Sequence, residues 1–295
     1  MLASKVIRKI SDYGTLVMFS HSIFSLSFAV ISMLLASNGL PSLWKVLWIL
    51  LAFMGARTGA NAINRAIDAE IDKLNPRTSV RQIPQGQVSK REAYGLAAVS
   101  FAIMLVSAAM LNMLCLILAP IALVFMTGYS YTKRFTWLCH IILGVTTAAA
   151  PVGAWIAVTG SLSVTPLIMG IANTLWVAGF DVIYGIQDYE FDKANNLRSI
   201  PVKFGIRRAL HISSTFHLVS CIFLLVLGII SRQLGTIYFT GLLVITVLFA
   251  IEHSLVANVR KPDDTRAEVY SFTSYSLNQI ISIVFLTASL LEIIM

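Results

Sequence analysis

Two short windows hold half of the acidic residues in this 295-residue chain: NAINRAIDAEID at 61–72 and DVIYGIQDYEFD at 181–192. A shift of 120 residues overlays Asn61 on Asp181, Asn64 on Tyr184, Asp68 on Asp188 and Asp72 on Asp192. Steps of three and four residues put these groups on one face of a helix. Glu70 and Glu190 fall off that face and are left to solvent. Carboxylate and amide oxygens are hard ligands of the kind Mg²⁺ accepts, usually with substrate phosphate completing its shell. Just beyond the windows, Arg77, Arg81, Lys193, Arg198 and Lys203 are placed to hold an anion. Acids, a hard cation and flanking basic residues together describe a diphosphate site. A single D-x-x-x-D at a helix end is more often a solvated cap. Two windows matching at four offsets tilt the reading towards chemistry.

The elements that must position these residues are membrane helices. Hydrophobic residues make up 57% of the chain and charged residues only 12%, and the mean hydropathy is +0.79. A soluble domain carries about a quarter charged residues. A bilayer crossing needs about 20 mostly apolar residues. On that scale nine spans are expected, at about 14–36, 43–68, 92–111, 113–131, 137–159, 164–187, 208–230, 235–255 and 271–293. Pro120 and Pro151 are expected to kink the fourth and fifth. The fold class is therefore all-α, a nine-helix transmembrane bundle forming one domain over 1–295, with the two Asp-rich halves as a quasi-repeat. Repeats of this kind commonly place the functional site between the halves.

The basic residues test that count. With the N-terminus inside, 18 of the 22 Lys and Arg fall on inner segments. They include Lys5, Arg8 and Lys9 at the start, five in 73–91, Lys133 and Arg134, five in 193–208, and Arg260, Lys261 and Arg266. The outer connections hold only Lys45 and Arg232, while Arg57 and Arg65 lie within span two. This bias fits the positive-inside rule for an odd number of spans. The net charge of +8 thus marks a membrane face and not a nucleic-acid partner. Both acidic windows end helices running inwards, where the negative end of the helix dipole favours cations. The expected setting is the inner membrane, with the N-terminus and active site on the cytoplasmic side. Met1 to Tyr13 reads as a short basic lead-in and not a cleavable signal. Cys115, Cys139 and Cys221 lie far apart in apolar segments and give no metal spacing.

Span four ends GYSYTKRF at 128–135, again at the inner side. Tyr129 and Tyr131 serve either as interfacial belt residues or, for one of them, near a developing cation. Lys133 and Arg134 are either topology charges or, for Lys133, a diphosphate ligand. Arg57 shares the face of Asn61, Asn64 and Asp68. A charge at that depth costs several kcal/mol unless it is paired or in a wet cavity, so it holds either an interhelical partner or a substrate carboxylate. His21, His140, His211, His217 and His253 show no ligand spacing.

These motifs resemble the UbiA family of intramembrane aromatic prenyltransferases. The likeness rests on N64-R-A-I-D68-A-E-I-D72, N75-P-R77-T, R81-Q-I-P84-Q-G86, Y131-T-K133-R134 and D181-x-x-Y184-x-x-Q-D188-x-x-x-D192, and covers nearly the whole chain. The resemblance implies Mg²⁺ and a polyprenyl diphosphate on Asn64, Asp68, Asp72, Asp188 and Asp192, with Asp181 beside them. It also implies that Lys133 and the loop arginines hold phosphate oxygens. Many members have Asp directly after the first-motif Asn, where this chain has Arg65. Within the family the chain looks most like the 4-hydroxybenzoate polyprenyltransferases. F19-S-H21-S-I-F24-S-L-S-F28 and A56-R57-T-G look more like the branch serving menaquinone through futalosine, which prenylates a dihydroxynaphthoate. Both acceptors are phenolic carboxylates, which suits Arg57.

The chemistry that follows from the resemblance is ionisation of the allylic C–O bond and attack on the cation by the electron-rich ring. Tyr131 and Tyr184 are candidates to face the cation. Either Asp181 or the released diphosphate takes the ring proton. Haem, homogentisate or chlorophyllide acceptors are alternatives, as is an ion-coupled transporter. Transporter sites lie near the midplane on broken helices; these acids gather at one face, and no Gly/Pro pair interrupts spans two and six.

Overall fold

Long runs of Leu, Ile, Val, Ala and Phe cannot satisfy their backbone in lipid except as helices, and helices are what they form. The computed structural model describes residues 13–16, 23–257 and 269–295. Lys5, Arg8, Lys9, His21, Arg260, Lys261, Arg266 and the 17–22 part of the first expected span lie outside them. Among the described residues there is no β-strand. The helices are α1 (Ile23–Ser37), α2 (Leu43–Leu74), α3 (Lys90–Leu111), α4 (Met113–Thr132), α5 (Cys139–Thr159), α6 (Val164–Gly185), α7 (Tyr189–Ala194), α8 (Ile200–Phe204), α9 (Ile206–Ile230), α10 (Thr236–Ala257) and α11 (Asn278–Ile294). A 3-10 turn, Ile186–Asp188, joins α6 to α7, and a π-helical stretch, Phe272–Leu277, leads into α11.

Among the described residues eight helical runs are long and apolar enough to cross a membrane, and α1 is a shorter apolar helix. Pro120 and Pro151 both sit inside continuous helices, so neither breaks its element. The outward faces carry Ile103, Ile121, Val124, Leu218, Ile229, Leu243 and Val247, all exposed. Apolar side chains exposed along so many helices are the surface that lipid covers.

The chain divides into two compact units, one built from α2, α3 and α4, the other from α1 and α5 to α11. Lipid tails are as apolar as leucine, so helices in a bilayer are held by close packing and interhelical hydrogen bonds. In the first unit α2 supplies the close packing through small residues. A Cβ on Gly55 would lie 2.5 Å from the Ser100 carbonyl oxygen of α3, so only glycine permits that approach. Ala62 packs with Ala97, and Ala66 with Ala93. At 100° per residue this seam lies roughly 160° around α2 from Arg57, Asn61, Asn64 and Asp68. The helix therefore packs with one face and presents its polar groups on the other. A single residue, Asn112, separates α3 from α4. Its backbone N–H closes the last turn of α3 on Ala108, and its side-chain oxygen accepts from Cys115 N–H at 3.0 Å in the first turn of α4.

In the second unit, α6 packs against α5 and α9, and α11 against α1 and α10. The core holds Phe28, Trp176, Phe249 and Phe285 in edge or tilted ring contacts. Trp176 Nε1 donates to Asn278 Oδ1 at 2.7 Å, and Trp155 packs against the same core. These tryptophans are packing residues.

Candidate active site

The first acidic window lies in one unbroken helix, since α2 continues to Leu74. On its polar face Asn64 Nδ2 donates to Asp68 Oδ2 at 2.9 Å and to Ser130 Oγ of α4 at 3.2 Å. Arg57, Asn61, Asn64 and Asp68 are half-buried and Asp72 is buried. The loop after α2 folds back on that acid. Asn75 Oδ1 accepts from Arg77 N–H, and Thr78 Oγ1 donates to the Asp72 carbonyl. These turns bring Arg81 Nη1 to 2.7 and 2.8 Å from the two Asp72 carboxylate oxygens. Asp72 and Arg81, expected on metal and on phosphate, thus hold each other in this structure. Glu70 points away and pairs with Lys90 at 2.6 Å. Arg65 is buried, and its Nε donates to the Leu16 carbonyl at 3.4 Å; it ties α2 to the segment that precedes α1.

The second window is built differently. α6 ends at Gly185, and the 3-10 turn carries the chain to Asp188 before α7 brings in Asp192. Span six is therefore interrupted at its end, which the sequence reading did not foresee, and the quasi-repeat does not extend to the backbone. Asp188 and Asp192 are both buried. Lys133 Nζ lies 3.2 Å from Asp192 Oδ1. The distance is that of an ion pair, but the angle is not that of a hydrogen bond, so Oδ1 is a buried acceptor with no hydrogen-bond donor. Asp181 meets His140 instead, Oδ2 to Nδ1 at 2.7 Å. Sequence reasoning missed His140, because its partner is on another helix 41 residues away. Tyr184 packs edge-on to Tyr275, ring centres 4.7 Å apart, and Tyr131 is exposed.

The remaining basic residues divide by partner. Arg198 N–H donates to the Lys133 carbonyl and its Nη1 to the Phe135 carbonyl, both at 2.7 Å. Arg198 thus braces the loop that carries Lys133. Lys203 lies over the Trp137 ring, 4.2 Å from its centre, and Lys193 sits 5.8 Å from the Tyr189 ring centre. Arg77 and Arg134 are half-buried.

Neither window by itself brings three His, Cys, Asp or Glu ligand atoms together. Among the described residues the one group that does so is His217, Glu252 and His253. For Mg²⁺ that is no obstacle, because it takes one or two carboxylates and fills its shell with water and phosphate oxygens. Asp68, Asp188 and Asp192 are oxygen donors of that kind. Asp192 Oδ1, buried and without a hydrogen-bond donor, is the atom of this set best placed to accept a cation in place of the Lys133 ammonium 3.2 Å away.

Known proteins with related sequences and folds match the chain along most of its length. A 4-hydroxybenzoate octaprenyltransferase of Vibrio cholerae is 31% identical over 228 residues, 76% of this chain and 78% of that protein. The apo structure of a UbiA homologue from Aeropyrum pernix K1 superposes with a TM-score of 0.81 at 31% identity, covering 92% of this chain and 97% of that one. A UbiA homologue from Archaeoglobus fulgidus, solved with GPP and Mg²⁺, shares the fold with a TM-score of 0.72 at 21% identity, over 96% of this chain and 99% of that one. The family model for the UbiA prenyltransferase family matches residues 25–277. With its apolar helices and its two acidic windows, the chain is an integral membrane protein that belongs to the UbiA prenyltransferase family.

Proposed function

We propose that the protein transfers a polyprenyl group from a polyprenyl diphosphate to the ring of an aromatic hydroxy acid, with Mg²⁺. The acceptor is 4-hydroxybenzoate or a dihydroxynaphthoate, and the product feeds ubiquinone or menaquinone biosynthesis. Relatives named 4-hydroxybenzoate octaprenyltransferase support the acceptor class, and the Archaeoglobus homologue with GPP and Mg²⁺ supports the donor and metal. One observation in this chain carries the reading: each window keeps its last carboxylate within ion-pair reach of a cation, Asp72 with Arg81 and Asp192 with Lys133. With a metal and a diphosphate bound, Asp72 and Asp192 would serve the metal, and Arg81 and Lys133 the phosphate oxygens.

Asp68, Asp72, Asp188 and Asp192, with Asn64, would hold Mg²⁺. Bound there, the ion neutralises charge on the departing diphosphate. Lys133 holds phosphate oxygens, joined by Arg77, Arg81, Arg134 and Lys193, while Arg198 and Lys203 brace the loops that present them. Arg57, with Asn61 one turn on, orients the acceptor carboxylate. The faces of Tyr131 and Tyr184 stabilise the allylic cation, and surrounding lipid and apolar helices keep water from it. Asp181, or the released diphosphate, takes the proton from the ring. The chemistry is placed at the cytoplasmic face of the inner membrane.

The test is prenyl transfer in membranes supplied with Mg²⁺ and a polyprenyl diphosphate, with 4-hydroxybenzoate and dihydroxynaphthoate offered side by side. Asp68→Ala and Asp188→Ala are each expected to abolish transfer while insertion and folding persist. Activity retained in either variant removes the metal assignment, and a product with neither acceptor removes the substrate assignment.

A further inference from the structure

The buried interior of the second unit contains a polar cluster that the prenyl-transfer chemistry does not use. Glu252 of α10 is fully buried in a span, and His217 of α9 is 1% exposed. His217 Nδ1 lies 3.3 Å from Glu252 Oε2 and 3.0 Å from His253 Nε2. A charged group at such a place is costly unless it is paired or bound to a metal. The cluster sits on the far side of α6 from the His140–Asp181 pair. His217 packs on Gly179, where a Cβ would come within 2.3 Å of the ring. Asp181, two residues on, lies roughly 200° around the helix.

The outer atoms of the cluster are committed to the surrounding helices, and its inner atoms face one another. His217 Nε2 faces the Trp176 carbonyl oxygen at 3.2 Å. A carbonyl only accepts, so Nε2 carries a proton, and in the neutral ring the lone pair of Nδ1 turns inwards. Glu252 Oε1 accepts from Asn278 Nδ2 at 2.7 Å, and Asn278 is itself fixed by Trp176. Glu252 Oε2, buried, has no hydrogen-bond donor. Nδ1 lies within hydrogen-bonding distance of His253 Nε2, whereas the carboxylate oxygen beside it has no donor, and a cation bound among the three atoms satisfies all of them together. Phe249 stacks on the His217 ring at 4.1 Å and holds its plane.

The spacing identifies the kind of cation. In a tetrahedral site with metal–ligand bonds of about 2.0–2.1 Å, neighbouring ligand atoms lie about 3.3 Å apart. The two edges at His217, 3.0 and 3.3 Å, are close to that value, and all three ligand atoms lie within 4.8 Å of one another. Two imidazoles and one carboxylate suit Zn²⁺ rather than Mg²⁺. Metal-bound histidines typically donate their other ring nitrogen to a carbonyl or carboxylate, as His217 does here. From this geometry we infer that His217, Glu252 and His253 form a second metal site, selective for a Zn²⁺-like ion and joining α9 to α10.

The test uses full-length protein purified in detergent, stripped with chelator and titrated with Co²⁺, whose visible bands report tetrahedral coordination. Expected are one equivalent of tetrahedral Co²⁺, its displacement by Zn²⁺, and a Zn²⁺-dependent rise in melting temperature. His253→Gln, at the half-buried edge of the cluster, is expected to lose the bands while remaining monodisperse, and Glu252→Gln to lose them as well. An Asp68→Asn/Asp188→Asn protein is expected to keep them, which separates this site from the acidic windows. Wild-type protein that shows no tetrahedral band overturns the inference without reliance on any variant. Bands that persist in His253→Gln, or vanish in the Asp variant alone, overturn it too.

Discussion

His140 changes what Asp181 is. Alone in an apolar helix, Asp181 stands out in the sequence because an intramembrane acid is expensive. Its 2.7 Å partner is invisible there, since histidine carries no periodic signal and the contact joins different helices. If Asp181 takes the ring proton, Asp181→Asn is expected to lower kcat by about 10²-fold or more. His140→Gln should lower it less, with the KM for polyprenyl diphosphate nearly unchanged in both. Steady-state kinetics with each substrate varied in turn separates this from a binding defect, in which KM moves instead. Arg65 shows a different limit of sequence reasoning. The resemblance marks it as a departure at a metal-binding position, whereas its Nε reaches the Leu16 carbonyl. Only folded chain supplies a backbone acceptor, so no residue pattern reveals it. His217 and His253, without ligand spacing in the sequence, meet for the same reason: α9 and α10 lie side by side.

At the scale of elements, the helices were the most legible part. Apolar runs bounded by charge marked the spans, and the ends of α3, α4, α9 and α10 fall within two residues of expectation. α2 is the exception, running to Leu74 and not to 68. Hydropathy stops where polar residues begin, but the backbone continues because Glu70 and Asp72 find Lys90 and Arg81. The 3-10 turn at Ile186–Asp188 was hidden too, since only Gly185 precedes it and no proline marks it. Arg81→Ala tests the loop that returns to α2. It leaves a buried carboxylate without its partner and is expected to cost about 1–3 kcal/mol, read as a lower melting temperature in detergent. Gly55→Val tests the packing face of the same helix. Its added carbons meet the Ser100 carbonyl and are expected to destabilise by about 1–3 kcal/mol. Because the polar face lies opposite, the protein that still folds should keep its KM values.

For the molecule as a whole, composition settled the class, and the asymmetry of Lys and Arg supplied an orientation. The division into two compact units had no counterpart in the sequence, because no linker-like stretch marks it and the second unit includes the early helix α1. The orientation is open to direct measurement. With the native cysteines replaced, Arg232→Cys is expected to react with an impermeant maleimide in spheroplasts, and Ser79→Cys only after the membrane is opened. The reverse pattern would invert the topology. Asn112 bears on how such a molecule is made. One residue serves as the end of α3 and the start of α4, so there is too little chain between them to be threaded across on its own. The pair is therefore expected to enter the bilayer together, as a single hairpin. Any tag or glycan acceptor placed at that tip burdens an insertion event rather than a finished loop.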